Sequence, residues 1–345
     1  MARGRVAWVL GAALGLLLAA CGAPTQVQAW SAQLSWQRQV PLGRQPDGSA
    51  VGPLALAAGD TRLLVANSFG ADLFSWRREG GVWHGPSTVP LAGAGVITAV
   101  AVAPAVDASV SAAAVDAGGT LWAVPASGPA RRWAQLPPAE GGVRRVLALA
   151  LTADGTAVVD AVDISAQESV RALYTVSPAG AVRALGRAVI AHGALFPPGK
   201  LLSAPGVRQG MAPCGRSAVW LAVRADQGAG GALACVGVDG AWGQRRSLPP
   251  LRAPADFLGV DRHGNLFALQ SAGLAGAAVV AFGRSGRPRW ALALPLGSGP
   301  LLPHPAALAP DGALWLAVGR AAGLRLIWLP PRWRGRALPG TQAGA

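Results

Sequence analysis

Val260-Asp261-Arg262-His263-Gly264-Asn265-Leu266-Phe267 joins one apolar run to another through a turn that contains Asp and Gly. Ala309-Pro310-Asp311-Gly312-Ala313-Leu314-Trp315 has the same arrangement. Three further copies are Thr152-Ala153-Asp154-Gly155-Thr156-Ala157-Val158, Val115-Asp116-Ala117-Gly118-Gly119-Thr120-Leu121-Trp122 and Ala58-Gly59-Asp60-Thr61-Arg62-Leu63-Leu64-Val65. An Asp side chain accepts hydrogen bonds from its own turn, and apolar runs on either side mark strands, so each copy reads as a hairpin. Asp60 and Asp311 stand 251 residues apart. With one degenerate copy at 213–217, the series advances in five steps of about 50 residues, and periods of that size belong to repeat architectures.

A second marker keeps the same beat out of phase with the first. It is a Trp followed by an apolar-Pro step: Trp36 to Pro41, Trp83 to Pro90, Trp133 to Pro137, Trp242 to Pro249, Trp290 to Pro295 and Trp333 to Pro339. Residues 182–186 fill the remaining slot without the Trp. Within one period about four strand-like runs follow each other, as at 54–57, 62–67, 71–77 and 82–91. Four antiparallel strands in a unit of about 40 to 50 residues, repeated in series, describe the blade of a β-propeller. The chain therefore reads as all-β, a propeller of four-stranded antiparallel sheets with six blades, or seven if 188–250 conceals more than one unit. The six blades run over about 53–92, 96–138, 143–187, 188–250, 254–296 and 302–340, and 30–43 is expected to close the ring against the last. Trp122 and Trp315 are expected at equivalent positions. In these markers the chain resembles the NHL-, lactonase- and quinoprotein-like propeller families; Val279-Val280-Ala281-Phe282-Gly283-Arg284-Ser285-Gly286-Arg287-Pro288-Arg289-Trp290 is similar to a quinoprotein-type repeat.

Composition agrees with buried strands. Of 345 residues, 52% are hydrophobic and 13% charged, which excludes disorder for most of the chain. The 47 Gly and 28 Pro argue against long helices. Residues 89–106 carry no charge over most of a bilayer's thickness, but Pro90, Gly93, Gly95 and Pro104 interrupt them and 96–102 reads as a strand.

The N-terminus carries a different signal. Arg3 and Arg5 precede an uncharged apolar stretch at 6–20, too short to span a bilayer, as in a secretory signal peptide. Leu18-Ala19-Ala20-Cys21 resembles the lipobox of bacterial lipoproteins. That resemblance implies cleavage before Cys21 and acylation of its thiol and amine, with palmitate a typical acyl group, and several acyl chains anchor stably where one does not. The expected organisation is a signal at 1–20, the lipidated Cys21 with a tether at 21–29, and one propeller domain at 30–345. Location is then the bacterial cell membrane or the periplasmic side of the outer membrane; Gly22 in place of Asp favours the latter in enteric-type bacteria. Removing Arg3 and Arg5 lowers the side-chain charge from +14 to +12.

Cys214 and Cys235 remain as an even pair in a compartment that permits disulfides. Strands at 218–223 and 232–238 about a turn at 225–231 do not set them directly opposite, so a bridge needs an offset approach; the alternative is two buried thiols. A bridge here is worth about 3 kcal/mol in the chain-entropy model.

No residue pattern indicates catalysis. Glu occurs only at Glu79, Glu140 and Glu168, and Asn only at Asn67 and Asn265. Asp60, Asp116, Asp154, Asp239, Asp261 and Asp311 read as turn residues. Asp160 and Asp163 fall on opposite faces of a strand, so they form no carboxylate pair; a hairpin-turn position is expected for them, the alternative being that one lines the central channel. His84, His192, His263 and His304 lack metal-ligand spacing, and no catalytic residue, cofactor or metal ligand is assigned. Arg doublets at 77–78, 131–132, 144–145 and 245–246 read as a solvated face that also suits anionic lipid or cell-wall polymer. Nucleic acid is not expected as a partner after export. The expected function is a non-catalytic binding or scaffold module for an envelope protein or polymer; the alternative is a propeller enzyme, a lactonase-like hydrolase or quinoprotein-like sugar dehydrogenase.

Overall fold

The computed structural model describes residues 28–29, 36–40, 53–67, 72–105, 108–139, 142–165, 169–190, 206–224, 231–247, 254–271, 277–293, 306–320 and 323–329. The signal, the lipobox with Cys21, most of the tether, His192, His304 and Trp333 lie outside them.

The described strands form six sheets. Sheet 1 comprises Pro53–Ala58, Arg62–Asn67, Asp72–Glu79 and Val82–Pro90. Sheet 2 comprises Ile97–Val102, Ala112–Asp116, Thr120–Val124 and Arg131–Gln135. Sheet 3 comprises Val143–Leu151, Ala157–Ile164, Ser169–Val176 and Val182–Ile190. Sheet 4 comprises Met211–Pro213, Ala218–Arg224, Gly231–Gly237 and Trp242–Ser247. Sheet 5 comprises Pro254–Val260, Leu266–Ser271, Ala277–Phe282 and Pro288–Ala293. All five are antiparallel meanders in chain order.

Sheet 6 differs in one respect. Ala306–Leu308, Leu314–Arg320 and Gly323–Leu329 supply three strands, and Trp36–Val40, from near the N-terminus, pairs antiparallel with Gly323–Leu329 as the fourth. The expected closure by 30–43 is therefore present. It joins the two ends of the chain in one sheet and pairs an edge that would otherwise template association.

The first strand of each sheet lies against the first strand of the next, and Ala306–Leu308 returns to Pro53–Ala58. The sheets thus stand around an axis as the blades of a β-propeller do. Each junction has its own apolar core. Leu63 and Val65 face sheet 6 while Leu64 and Ala66 face sheet 2. Ala112 and Ala114 turn to sheet 1 while Ala113 and Val115 turn to sheet 3. The alternation is the two-residue period of a strand, but here both faces meet a neighbour, so the runs are continuously apolar. The run at 96–102 is one such strand, buried in sheet 2, and no helix among the described residues is long and apolar enough to cross a membrane.

The junction between sheets 6 and 1 is built on indoles. Trp315, fully buried, meets Trp83 edge-on with ring centroids 4.8 Å apart, and Trp328 lies 6.2 Å from Trp315. Such pairs contribute beyond their buried area.

At one end of the ring, the turn between first and second strands of each sheet is tied to the next sheet. Arg262 N donates to Pro310 O at 3.0 Å, and Asp311 N donates to Asp60 Oδ1 at 2.6 Å. Ser109 Oγ donates to Asp154 O, Ser217 Oγ to Asp154 Oδ2 at 2.8 Å, and Ala153 N to Arg216 O. Arg62 closes the junction of sheets 1 and 2 through Ser111 Oγ, Val124 O and Pro125 O, and Arg246 reaches Gly264 O at 3.2 Å across sheets 4 and 5. Burial, reinforced by the charge of Arg77, pushes the Arg62 guanidinium down to about 10.

The recurrent turn needs two corrections. Asp60, Asp154, Asp261 and Asp311 do occupy first-to-second turns, and 213–217 is the corresponding turn of sheet 4. Asp116 instead joins the second and third strands of sheet 2, at the opposite end of the ring. Trp122 is accordingly on a third strand and Trp315 on a second, so the two are not equivalent. An Asp-Gly turn marks a hairpin but not which of a blade's hairpins it is. The Trp marker is more faithful: Trp36, Trp83, Trp133, Trp242 and Trp290 all fall on fourth strands, as does 182–186.

The long fourth unit holds one four-stranded sheet among its described residues, preceded by Gly206–Gln209, which runs parallel along the axial edge of Pro254–Val260. At the crossover between the two paths, Gly210 has φ +125°, and a Cβ there would lie 2.2 Å from Phe257 O. Only glycine fits. Gln28–Ala29 pairs with Trp290 and Ala291 on the outer edge of sheet 5.

Two outcomes follow from the closure and the turn contacts. Trp315→Ala removes the central ring of the closing junction and is expected to cost about 3–5 kcal/mol, measured by denaturant unfolding. Burial raises the Asp154 carboxyl, but hydrogen bonds from Thr152, Ser217 and Thr156 outweigh it and hold it below its ordinary value. The folded state therefore binds that proton less tightly than the unfolded chain. Its contribution is present above the unfolded value near pH 4 and is lost as pH falls through the lower folded value. Asp154→Asn is expected to lower the thermal midpoint at pH 7, with the gap to wild type narrowing below about pH 4.

Candidate functional site

The first strands are rich in Ala: Pro53–Ala58 reads PLALAA, Ile97–Val102 reads ITAVAV and Val143–Leu151 reads VRRVLALAL. Where six such strands converge, small side chains leave space. A cavity of about 850 Å³ results, lined on the first three sheets by Ala55, Ala57, Ala99, Ala101, Leu147 and Ala148. Met211, Ala212, Phe257, Leu258 and Leu308 line the other half. The volume is that of a small-molecule pocket.

The polar side chains of the lining come from sheets 4 and 5 and their turns. They are Gln244, Arg246, Asp256, Asp261, Arg262 and Arg284. The Arg246 guanidinium carbon lies 4.7 Å from the centroid of the Trp220 ring, a cation–π arrangement. Burial and the nearby charge of Arg284 depress its proton affinity. Asp261 spends its carboxylate on its own turn, accepting from His263 N, Asn265 N and Asn265 Nδ2, all at 2.9 Å. Arg262 forms an exposed ion pair with Asp60 at 3.3 Å.

Cys214 and Cys235 are joined by a disulfide, with Cα atoms 6.1 Å apart. The approach is offset: Cys235 is paired with Trp220, and Cys214 follows the short strand on the far side of Trp220. The bridge thus braces the strand that carries the indole lining the cavity.

The other sequence-derived candidates are structural. Asp311 Oδ1 accepts from Ala313 N at 2.7 Å, Asp239 Oδ1 from Ala241 N at 2.9 Å, and Asp116 Oδ1 from Thr120 N at 2.9 Å. His84 is exposed on the fourth strand of sheet 1 and His263 exposed in its turn. Among the described residues no group of three His, Cys, Asp or Glu side chains gathers.

Asp160 and Asp163 are not in a hairpin turn. Both lie within Ala157–Ile164, buried and on opposite faces. Asp163 accepts two 2.7 Å bonds from Arg144, and Asp160 is held bidentately by Arg171 at 2.9 and 2.5 Å. Arg171 also reaches Ala222 O in sheet 4, and Asp160 raises its proton affinity against the opposing effect of burial. A carboxylate survives within a fully apolar run because a guanidinium from an adjacent strand meets it.

The Arg doublets divide in the same way. Arg145 is exposed and Arg144 buried; Arg245 is exposed and Arg246 half-buried; Arg77 is exposed while Arg78 stacks 5.0 Å from the Trp328 ring. Consecutive strand residues point to opposite faces, so each of these pairs sends one cation outward and one toward a junction. The alternating burial of strand positions was the signal that could have identified them. Arg131 and Arg132 are both exposed, as a solvated face requires.

Neither a family model nor a curated protein matches the chain. Solved structures similar to it include a TolB-like protein from Agrobacterium tumefaciens, at 14% identity over 82% of this chain and 91% of that one, with a TM-score of 0.47. A fucose-specific lectin from Aleuria aurantia matches at 13% identity over 87% and 98%, with a TM-score of 0.48. A lactonase-like protein from Bacteroides uniformis matches at 15% identity over 77% and 78%, with a TM-score of 0.38. Strand pairing and the apolar junction cores define the fold.

The bridge gives a direct test. Replacing both Cys214 and Cys235 with Ser is expected to destabilise the protein by about 3 kcal/mol. Reductant should lower the wild-type unfolding midpoint by a similar amount and leave the double variant unmoved.

Proposed function

We propose that the protein is an exported, lipid-anchored six-bladed β-propeller that serves the bacterial envelope as a non-catalytic binding or scaffold module. The axial lining carries the non-catalytic part of this reading. Propeller enzymes of the kinds it resembles gather carboxylates, amides and imidazoles at the axis, whereas this cavity is walled chiefly by Ala, Leu and Val. Its turn carboxylates are engaged by their own backbones. The anchor reading rests on Arg3, Arg5, the apolar 6–20 and the lipobox at 18–21. The tether side is compatible with it, since Gln28–Ala29 lies on the outer edge of sheet 5 and Trp36–Val40 on the outer edge of sheet 6. A chain leaving residue 28 toward a membrane starts from the rim and need not cross the axis. Outward-facing Arg77, Arg131, Arg132, Arg145 and Arg245 suit an anionic partner or polymer.

A second reading, a propeller hydrolase or dehydrogenase, is favoured by one observation: Asp256 and Asp261 share the cavity wall.

Both parts have direct tests. In a bacterial host, wild type is expected to sediment with membranes and to incorporate labelled palmitate, and Cys21→Ser to abolish both. Wild-type protein that stays soluble and unlabelled overturns the anchor. Lactone hydrolysis, and dye-linked sugar oxidation after supplying calcium and pyrroloquinoline quinone, are expected at the rate of buffer alone. Turnover that disappears in Asp256→Asn or Asp261→Asn establishes the enzyme instead.

A further inference from the structure

The cavity combines the hydrocarbon of its alanine-rich strands with guanidinium groups from sheets 4 and 5, and that combination specifies a ligand class. Arg246 and Arg284 approach Gly264 from different sides. Arg246 Nη1 donates to the Gly264 carbonyl at 3.2 Å, while Arg284 lies so close to the Gly264 α-carbon that a Cβ there would stand 3.0 Å from Arg284 Nε. Gly264 has φ +78°, in the left-handed region, so the turn both tolerates this conformation and leaves room for the guanidinium.

Among the described residues neither Arg246 nor Arg284 forms an ion pair; Arg284 Nε donates to the His263 carbonyl. Arg246 Nε is buried with no hydrogen-bond partner among the described residues. Two like charges held near each other, one of them stacked on Trp220, raise the local positive potential at the wall. The same wall carries Asp256 and Asp261, of which Asp261 is occupied by its turn. Arg262, the third cation, is engaged by Asp60.

Away from this wall the cavity offers hydrocarbon. Ala57, Ala101, Leu149 and Met211 line it, as do the rings of Trp220 and Phe257. An inorganic anion would leave the apolar lining unused, and an uncharged apolar molecule would leave Arg246 and Arg284 unmatched.

We propose that the cavity binds a single-chain anionic amphiphile, with its carboxylate or phosphate head at Arg246 and Arg284 and its hydrocarbon body along the alanine-lined axis. This deepens the binding-module reading and rests on it, yet it is independent of whether Cys21 is acylated. The head accepts charge-assisted hydrogen bonds from the guanidinium edges, and the body removes apolar surface from water.

The test is calorimetric titration of the full chain carrying Cys21→Ser, so that no attached acyl chain competes. Octyl phosphate, octanol and inorganic phosphate are the probes. Octyl phosphate is expected to bind one to one, at least about tenfold more tightly than either of the others. Arg246→Gln and Arg284→Gln are each expected to weaken octyl phosphate by about tenfold while leaving octanol unchanged. Arg287→Gln, exposed on the same turn as Arg284, should have no effect, and an unchanged thermal midpoint shows that each variant is folded. Equal affinity for octanol and octyl phosphate overturns the proposal, as does equal weakening by Arg287→Gln. So does the absence of any heat from octyl phosphate with folded protein. Membrane sedimentation of the wild type reports on anchoring separately, so failure of either reading is seen without the other.

Discussion

The rest of the structure depends on burying both faces of every sheet. A four-stranded meander with one apolar face can leave the other to water, but a meander that alternates Leu63 and Val65 with Leu64 and Ala66, all buried, requires a neighbour on each side. The arrangement is complete only when the last sheet meets the first. This explains why the strand Trp36–Val40 is used in sheet 6, and why an aromatic cluster of Trp83, Trp315 and Trp328 sits at that junction. It also explains the composition: continuous apolar strands produce a hydrophobic chain without any need for a spanning segment.

Polar groups are placed by the same constraint. A strand buried on both faces can carry charge at its ends or at a junction where a partner meets it. The turn carboxylates take the first course and connect neighbouring sheets at one end of the ring. Arg144 with Asp163 and Arg171 with Asp160 take the second. Removing one partner from such a pair leaves a buried charge uncompensated, which is strongly destabilising. With these charges directed to rim and junction, much of the axis is left to small apolar side chains, and a cavity remains there.

The repeat, the strand runs, the closing segment and the approximate sheet limits were legible because each is local. Turn chemistry and strand period are written in consecutive residues, and the Trp marker fell on fourth strands wherever the strand is described. Legibility ended where identity depends on which neighbour a residue meets. Asp116 and Asp311 share a local pattern, Asp and Gly between apolar runs, but sit in hairpins at opposite ends of the ring. The spacing of Asp160 and Asp163 shows that they lie on opposite faces but not that they lie inside a strand, because the guanidiniums that allow them there come from adjacent strands. The Arg doublets looked like surface charge for the same reason.

By itself the sequence determined an all-β repeat chain, with a stretch at 18–21 that resembles a lipobox and two further cysteines, Cys214 and Cys235. Each of these is a property of short segments, fixed by turn geometry, side-chain alternation or spacing. Only the tertiary structure decided that Cys235 meets Cys214 across the strand bearing Trp220. Only there do Arg246 and Arg284, 38 residues apart in sequence, flank the same glycine beside an apolar cavity. A cavity belongs to no segment: it exists because strands distant in the chain converge on one axis with side chains too small to fill it.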